Sequence, residues 1–379
     1  VISQPAEPVP APAPAPEVKV TAPDLTQAEG ADEVVAVRFQ NNEAGSEGGP
    51  VTFGHVFAPG DLPAGTQLVA TINGEDVPVQ MDVKATNDDG SIRHAVLTVD
   101  VPALEAGSHV DVMLAKGTPA DAPALDIASV LDGALDLQVS FDMDGAAGPG
   151  GEISLDAAQV LADAIAAGTL STWLSGPLAS EVSVTAPVNE YIDVTFNIRA
   201  LADGSVVTDV VVANDKTFTA GVDNFTYDVT ITSGGQTVVQ HTDLEHHRHA
   251  TWHQEVKTDG AADLSVVRDM DYFMQTGAIS GYDTSIGVNE STLAYTHNLM
   301  QSEWDTGPMG NAQIQTYMPG VGGRPDLGPL PQWAATYLVT QDARAEEIML
   351  ANADAAGSIP WHLRDENTGQ AISIDDYPD

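Results

Sequence analysis

Short segments in which apolar and polar residues alternate constrain the fold of this chain more than any other feature. From Val34 onward such segments follow one another, among them VVAVRFQ, TQLVATI and RHAVLTVDV. A period of two places every second side chain on the same face of a strand. Asn73-Gly74 and the run 87–90, NDDG, are typical of hairpin turns. We therefore predict a small antiparallel β-barrel over residues 33–118.

A second block of alternating segments follows a Pro/Ala-rich connector. LDLQVSFDM, EYIDVTFNIRA and NFTYDVTIT lie within residues 119–245, which we predict to be a β-sandwich-like domain. The segment LDAAQVLADAIAAG interrupts this block with a helical pattern. We predict a helix there, with Ser154 as its N-cap and Gly168 as its C-terminal stop.

The two ends of the chain differ from this β-rich middle. Residues 1–32 begin with alternating proline and small residues, which indicates an extended tail. Residues 246–379 are rich in loops, but LPQWAATYLVTQ and ARAEEIMLANADAAG predict a helical hairpin. The predicted fold class is therefore mainly β, a barrel followed by a sandwich, with a partial α-helical C-terminal region.

Charge restricts the partners that this chain can bind. The formal net charge of -42 argues against nucleic acid and against anionic lipid surfaces, because both need a basic protein face. No apolar run approaches the ~20 residues of a membrane-spanning helix. Repulsion among so many negative charges is best tolerated in salt. The chain also has no cysteine, and it begins with Val1. We expect an extracellular or cell-surface protein, and either a signal that has been removed or a partial product.

Two segments resemble the YetA-like and exo-rhamnogalacturonan-lyase-like family. Residues 53–107 contain GDLP, VPVQ and DGSIR in the order in which the family's N-terminal β-barrel carries similar motifs. Residues 323–357 resemble an early hairpin of the family's C-terminal α/α toroid, of which this chain has room for only the start. The resemblance implies an extracellular protein that binds or β-eliminates acidic polysaccharide.

The alternative is a structural role. The same β units could form a subunit of a surface filament, an appendage or a phage-like particle, with the Pro/Ala tail packed on neighbouring copies of the chain. The expected partners are therefore a polysaccharide or further copies of this chain in a homo-oligomer.

Half of the ten histidines lie in the segment QHTDLEHHRHATWHQE. Neutral imidazole binds zinc, nickel or copper, so His246 and His247 are candidate ligands of a transition metal. Calcium prefers oxygen ligands, so Asp142 and Asp144 in the sequence DMDG are candidates for a calcium site. The alternatives are a histidine-rich strand end without metal and a chance pair of carboxylates.

The same segment could handle a sugar. Lyase chemistry on uronates needs a base for the C5 proton, and His249 or His253 is our candidate acid or base. Trp252 beside them could stack on a sugar ring, although large aromatic side chains are core residues at least as often.

The lyase hypothesis also needs cations to stabilise the substrate carboxylate. Arginine does this through its bidentate fork, and Arg324 and Arg364 are the candidates. Each arginine could instead neutralise an acidic neighbour in so acidic a chain. Trp361, His362 and Tyr377 are the remaining candidate contacts to the substrate.

Overall fold

The fold is mainly β, as predicted, and most of its helices lie toward the C-terminal end. The computed structural model describes residues 17–42, 45–143, 151–258, 260–315, 328 and 330–377. Within those ranges no helix is long and apolar enough to cross a membrane. The described strands form one short antiparallel pair and four larger antiparallel sheets.

The described strands, numbered in chain order, alternate buried and exposed side chains over much of their length. They are β1 Lys19–Val20, β2 Glu33–Gln40, β3 Ser46–Val56, β4 Gln67–Ile72, β5 Glu75–Val77, β6 Val79–Thr86, β7 Ile92–Glu105, β8 His109–Gly117, β9 Leu137–Asp142, β10 Glu152–Asp156, β11 Ser171–Ser175, β12 Ala179–Pro187, β13 Asp193–Leu201, β14 Val206–Asn214, β15 Phe225–Ser233, β16 Gln236–His246, β17 Ala250–Lys257, β18 Ser265–Arg268 and β19 Val288–Asn289. The described helices are α1 Ala157–Ala167, α2 Met270–Gln275, α3 Glu290–Glu303, α4 Gln332–Thr340 and α5 Ala343–Ala355.

The first β unit consists of two sheets that enclose one apolar core. Its strand orders are β18-β2-β8-β4-β5 and β3-β7-β6. Phe39, Phe53 and Leu97 are buried between these sheets. The predicted turn at Asn73-Gly74 joins β4 to β5, and both residues have positive φ, 52° and 83°, as a tight hairpin requires.

The second β unit is a sandwich of a four-stranded sheet, β10-β9-β15-β16, and a five-stranded sheet, β11-β12-β13-β14-β17. Phe141 and Tyr227 from one sheet meet Phe196 and Val212 from the other in a shared core. Helix α1 closes one part of this core with Leu161. Its N-cap is Asp156, whose carboxylate accepts from two backbone amides of the first turn. The predicted cap, Ser154, is wrong because that residue lies in β10, whereas Gly168 ends the helix as expected.

Two strands beyond residue 245 belong to the β units that precede them in the chain. Strand β17 pairs with β14 and completes the five-stranded sheet of the sandwich. Strand β18 pairs with β2 at the edge of the first unit. The predicted division at 245/246 therefore falls between two strands of the sandwich.

The helical hairpin predicted near the C-terminus is confirmed as α4 and α5. With α3, these helices bury a small core of their own around Leu293, Trp333 and Ile348. Helix α5 begins at the N-cap Asp342. Helix α5 lies beside the place where the two β units meet.

The described part of the predicted tail packs on its own chain. Strand β1 pairs with β19, and the Ala22 amide donates to the Val339 carbonyl over 2.9 Å. Leu25 is buried against Ala36, Met113 and Val267. The Pro/Ala tract of residues 1–16 lies outside the described residues, so its packing on other subunits stays a prediction.

Candidate functional site

Strand alternation divides the histidine cluster between the inside and the outside of the sandwich. His246 is fully buried, and Trp252 is only 5% exposed. The Trp252 Nε1–H donates to the Tyr227 hydroxyl over 2.9 Å, and that hydroxyl lies 2.8 Å from His246 Nδ1. His246 Nε2 lies 2.9 Å from the Ala250 carbonyl, which can only accept, so Nε2 carries the proton and Nδ1 accepts from Tyr227.

This network assigns a structural role to two predicted site residues. Both nitrogens of His246 are engaged in the core, and burial lowers the pKa of its imidazole to about 4. The metal-ligand prediction for His246 is therefore wrong, because neither nitrogen is free for a metal. The stacking prediction for Trp252 is wrong for a related reason, since its ring belongs to the sandwich core.

The other predicted metal ligands do not form a site in the described chain. His247 Nδ1 lies 3.5 Å from the Ser358 carbonyl. Asp142 ends β9, and Asp144 lies outside the described residues. Across the described ranges, no three histidine, aspartate or glutamate side chains are grouped as metal ligands would be. Calcium and a transition metal stay predictions.

His253 lies on the outer face of the five-stranded sheet, between two carboxylates. Its Nδ1 lies 2.7 Å from Asp209 Oδ1, and its Nε2 lies 3.0 Å from Asp354 Oδ1. The hydrogen bonds to Asp209 and Asp354 raise the pKa of His253 to about 10. The imidazole is therefore protonated at neutral pH and cannot act there as the base that lyase chemistry needs.

Three other predicted residues do come together, at one end of the sandwich. The backbone amide of His362 donates to the His249 carbonyl over 2.9 Å. Arg364 donates through Nε to Asp215 over 3.1 Å, so this arginine neutralises an acidic neighbour. Burial, followed by the nearby Arg248, lowers the pKa of His249. Its Nε2 accepts from Arg248 Nε over 2.7 Å.

The predicted aromatic contacts lie on the same C-terminal segment. Trp361 is 62% exposed, and the Tyr377 ring lies 5.2 Å from that of Phe218. The Tyr377 hydroxyl donates to Asp365 over 2.6 Å. Arg324 lies outside the described residues. The predicted set of residues therefore does not form one surface, because Trp252 is inside the sandwich and His253 lies on its outer sheet face.

A cleft that the sequence did not indicate lies where the two β units meet α5. Its volume is about 520 Å³, and its lining includes Arg199 from β13, Glu255 and Lys257 from β17, Arg268 from β18, and Ala343, Glu346, Glu347 and Leu350 from α5. The β17 residues are two apart, so they share the outer sheet face. The α5 residues are three, four and seven apart, so they share one face of the helix. We call this space the junction cleft.

The cations of the junction cleft differ in their partners. Arg199 pairs with Glu181 over 2.6 Å, and Lys257 pairs with Asp263 over 2.9 Å. The guanidinium of Arg268 donates only to uncharged oxygens among the described residues, including the Gly54 carbonyl at 3.2 Å. No carboxylate of the described chain lies within ion-pair distance of it. As far as the described residues go, the Arg268 guanidinium therefore has room for a carboxylate ligand.

One carboxyl group of the junction cleft has an altered acidity. Burial raises the pKa of Glu346, and the nearby Arg268 opposes that rise. The Tyr337 hydroxyl lies 3.5 Å from Glu346 Oε1 and 3.4 Å from Arg268 Nη1. The cleft thus combines a half-buried guanidinium with a carboxyl group that is protonated more readily than an exposed glutamate.

A second cavity of about 550 Å³ adjoins the junction cleft. Its lining includes Gln240, His241, His253, Gln254 and Asp354, and Glu255 lines both cavities. The bridge from His253 to Asp354 therefore lies beside the junction cleft.

Sequence reasoning missed the junction cleft because its residues come from distant segments. Arg268 was one of several arginines in the C-terminal part, and its segment SVVR is only four residues long. Only the helical spacing of Ala343, Glu347 and Leu350 could have suggested a lined surface. A scan against models of known protein families finds no match, and a search of curated proteins finds none either.

Proposed function

We propose that this protein binds an acidic carbohydrate in the junction cleft, outside the cell. The single observation that carries the proposal is Arg268, a half-buried guanidinium without a carboxylate partner in the described chain. A guanidinium binds a carboxylate through two parallel hydrogen bonds, which favours uronate over neutral sugar.

The other groups of the cleft suit a ligand rich in hydroxyls. Three of the chain's 13 Lys and Arg side chains lie here, together with Glu255, Asp263, Glu346 and Glu347. Carboxylates accept hydrogen bonds from sugar hydroxyls, while the cations donate to ring and carboxylate oxygens. The cleft is thus nearly balanced in charge within a protein of net charge -42. A polyanion would meet less repulsion there than the net charge alone suggests, and salt would weaken the remaining repulsion.

Elimination is the finer form of this proposal, as the family resemblance implies. A β-elimination needs a group that takes the C5 proton and a cation that stabilises the enolate-like carboxylate. In the junction cleft Glu346 would accept the C5 proton, and Arg268 would stabilise the enolate-like carboxylate. The C4–O4 bond would then break as the C4–C5 double bond forms, and the departing oxygen would take a proton from the protonated Glu346 or from water. His253 is unsuited to the first role because two carboxylates keep it protonated.

Titration of the full chain with rhamnogalacturonan oligosaccharides tests the proposal. We expect binding by the wild-type protein and a loss of about tenfold or more in affinity for Arg268→Ala, since charged hydrogen bonds contribute ~1.5–3 kcal/mol. Arg248→Ala, which removes an exposed arginine outside the cleft, is the matched control and should bind normally.

Carboxyl-reduced oligosaccharides separate charge recognition from sugar recognition. They should bind the wild-type protein as weakly as the native oligosaccharides bind Arg268→Ala. Absorbance of an unsaturated product reports elimination in the same samples. Absence of binding to every acidic glycan tried, at low and at high salt, would refute the proposed function.

A further inference from the structure

His253 joins two elements that both contribute residues to the junction cleft. Asp209 lies on β14 of the sandwich, and Asp354 lies near the C-terminal end of α5. Each carboxylate faces one ring nitrogen of His253, at 2.7 Å and 3.0 Å. Carboxylates accept, so an imidazole that donates to both must carry both protons. The protonated ring is therefore a cationic bridge between the sheet and the helix.

Helix α5 is held differently at its two ends. Near its N-terminus, Arg344 forms two hydrogen bonds to Glu290 of α3, at 2.7 Å and 2.9 Å. Just beyond its C-terminus, Gly357 approaches β17 so closely that a Cβ there would lie 2.5 Å from the Thr251 carbonyl. One end thus belongs to the helical region, and the other end contacts the sandwich, among other places, at Thr251 and His253.

We propose that His253 is a positioning residue that clamps α5 against the five-stranded sheet and fixes the width of the junction cleft. The clamp is closed while the imidazole is protonated, and it releases when the proton is lost. Its effect on ligand binding rests on the proposed function, whereas the clamp itself does not.

The charges that face His253 oppose the closed position once its proton is lost. Asp209 faces it from β14, Asp354 from α5 and Glu255 from its own strand, while His241 on β16 lines the same cavity. The described segment 306–309, TGPM, carries no charge. With the imidazole protonated, the carboxylates are attracted to it. Without the proton they repel one another across the same gap, which drives α5 away from the sheet.

The sign of the pH dependence follows from the same contacts. Asp209 and Asp354 raise the pKa of His253 to about 10, so the clamp is closed at neutral pH and opens as the pH rises toward that value. Removal of either carboxylate should bring the opening to lower pH, because the ordinary pKa of histidine is ~6.5.

Distance measurement between two spin labels tests the clamp without any ligand. The chain has no cysteine, so Ala353→Cys on α5 and Thr172→Cys on β11 provide two unique and exposed labelling positions. We expect a single distance at neutral pH and a longer one as the pH approaches ~10. In Asp354→Asn the midpoint should fall by about one pH unit or more, whereas the exposed control Glu303→Gln should leave it unchanged.

His253→Ala provides a test that needs no alkaline sample. At neutral pH this variant should show the longer distance, and circular dichroism confirms that it is folded. An unchanged distance in folded His253→Ala, or an identical midpoint in Asp354→Asn, would overturn the clamp.

Binding of rhamnogalacturonan oligosaccharides distinguishes the two proposals. If the clamp sets the cleft width, affinity should fall about tenfold in His253→Ala at neutral pH, which corresponds to ~1.4 kcal/mol. Labels that separate in a protein that binds no oligosaccharide would leave the clamp standing and refute the proposed function. If His253→Ala binds the oligosaccharide normally and the distance between its labels is unchanged, the proposed function stands and the clamp is refuted.

Discussion

The inside of the sandwich and the outer face of its five-stranded sheet give the same residue type opposite properties. On the inner side, burial lowers the pKa of His246 to about 4, and its nitrogens bond to Tyr227 and Ala250. On the outer face, two carboxylates raise the pKa of His253 to about 10. The residues are seven apart in the chain. Proximity in sequence therefore says little about shared chemistry, because His246 ends β16 of one sheet and His253 lies on the outward side of β17 in the other.

The largest contrast between the faces should appear on β13. Phe196 is fully buried in the sandwich core, and its neighbour Thr195 faces outward, where its hydroxyl lies 2.8 Å from that of Thr185. We expect Phe196→Ala to lower the free energy of unfolding by about 3–5 kcal/mol through lost burial and a cavity. Thr195→Ala, the matched outer change, should cost about 1 kcal/mol or less. Urea unfolding measures both, and similar values would contradict the assignment of faces.

The second expected effect is a loss of protein stability in acid, caused by protonation of buried imidazoles. The folded pKa of His246 lies below that of the unfolded chain, so its stabilisation is present above pH ~6.5 and is lost as the pH falls toward 4. Near pH 5 this loss is about 2 kcal/mol. Unfolding by urea between neutral pH and pH ~5 measures it.

A second buried histidine contributes to the same acid loss and must be separated from it. His55 lies in the first β unit against Phe57 and Tyr272, and burial lowers its pKa to about 3. Within the described chain neither of its nitrogens has a hydrogen-bond partner. His55→Phe should therefore lose less stability in acid than the wild-type protein, and the loss that remains should include the part due to His246. A stability of His55→Phe that does not change with pH would show that His246 does not contribute.

A further effect concerns one hydroxyl on the inner side. Tyr227→Phe removes the group that accepts from Trp252 and donates to His246. Two buried polar atoms then lose their partner, which should cost about 2 kcal/mol in free energy of unfolding. Tyr191→Phe, a partly buried tyrosine at the edge of the same core, is the comparison and should cost less. Equal losses of stability in Tyr227→Phe and Tyr191→Phe would show that the hydrogen bonds from Tyr227 to Trp252 and His246 contribute nothing beyond an ordinary tyrosine hydroxyl.

Much of the fold could be predicted because it depends on local pattern. Alternation identified most strands of both β units, Asn73-Gly74 marked a hairpin, and helical spacing identified α4 and α5. Each of these signals depends on residues that are close together in the sequence. The N-cap of α1 was missed by two residues, since Ser154 and Asp156 are both good caps and strand β10 extends to the second.

The functional residues could be predicted less well because they depend on which face of a strand is buried. Trp252 and His253 are neighbours, and nothing in QHTDLEHHRHATWHQE indicates that β17 completes a sandwich and buries the even-numbered side. Arg268 meets Arg199 and Glu346 only through the packing of β18, β13 and α5. Such an arrangement follows from tertiary structure, which periodicity does not encode.

The pairing of β18 with β2 has a consequence for synthesis. Val267 lies opposite Arg38 in the sheet, so β2 acquires this neighbour only after more than half of the polypeptide has left the ribosome. Until then its outer backbone groups are an open template for other strands. The first β unit is therefore completed by β18, which is synthesised after every strand of the sandwich. A nascent chain arrested before Ser265 should be captured by chaperones and prone to aggregate, even though almost all of that unit has already been made.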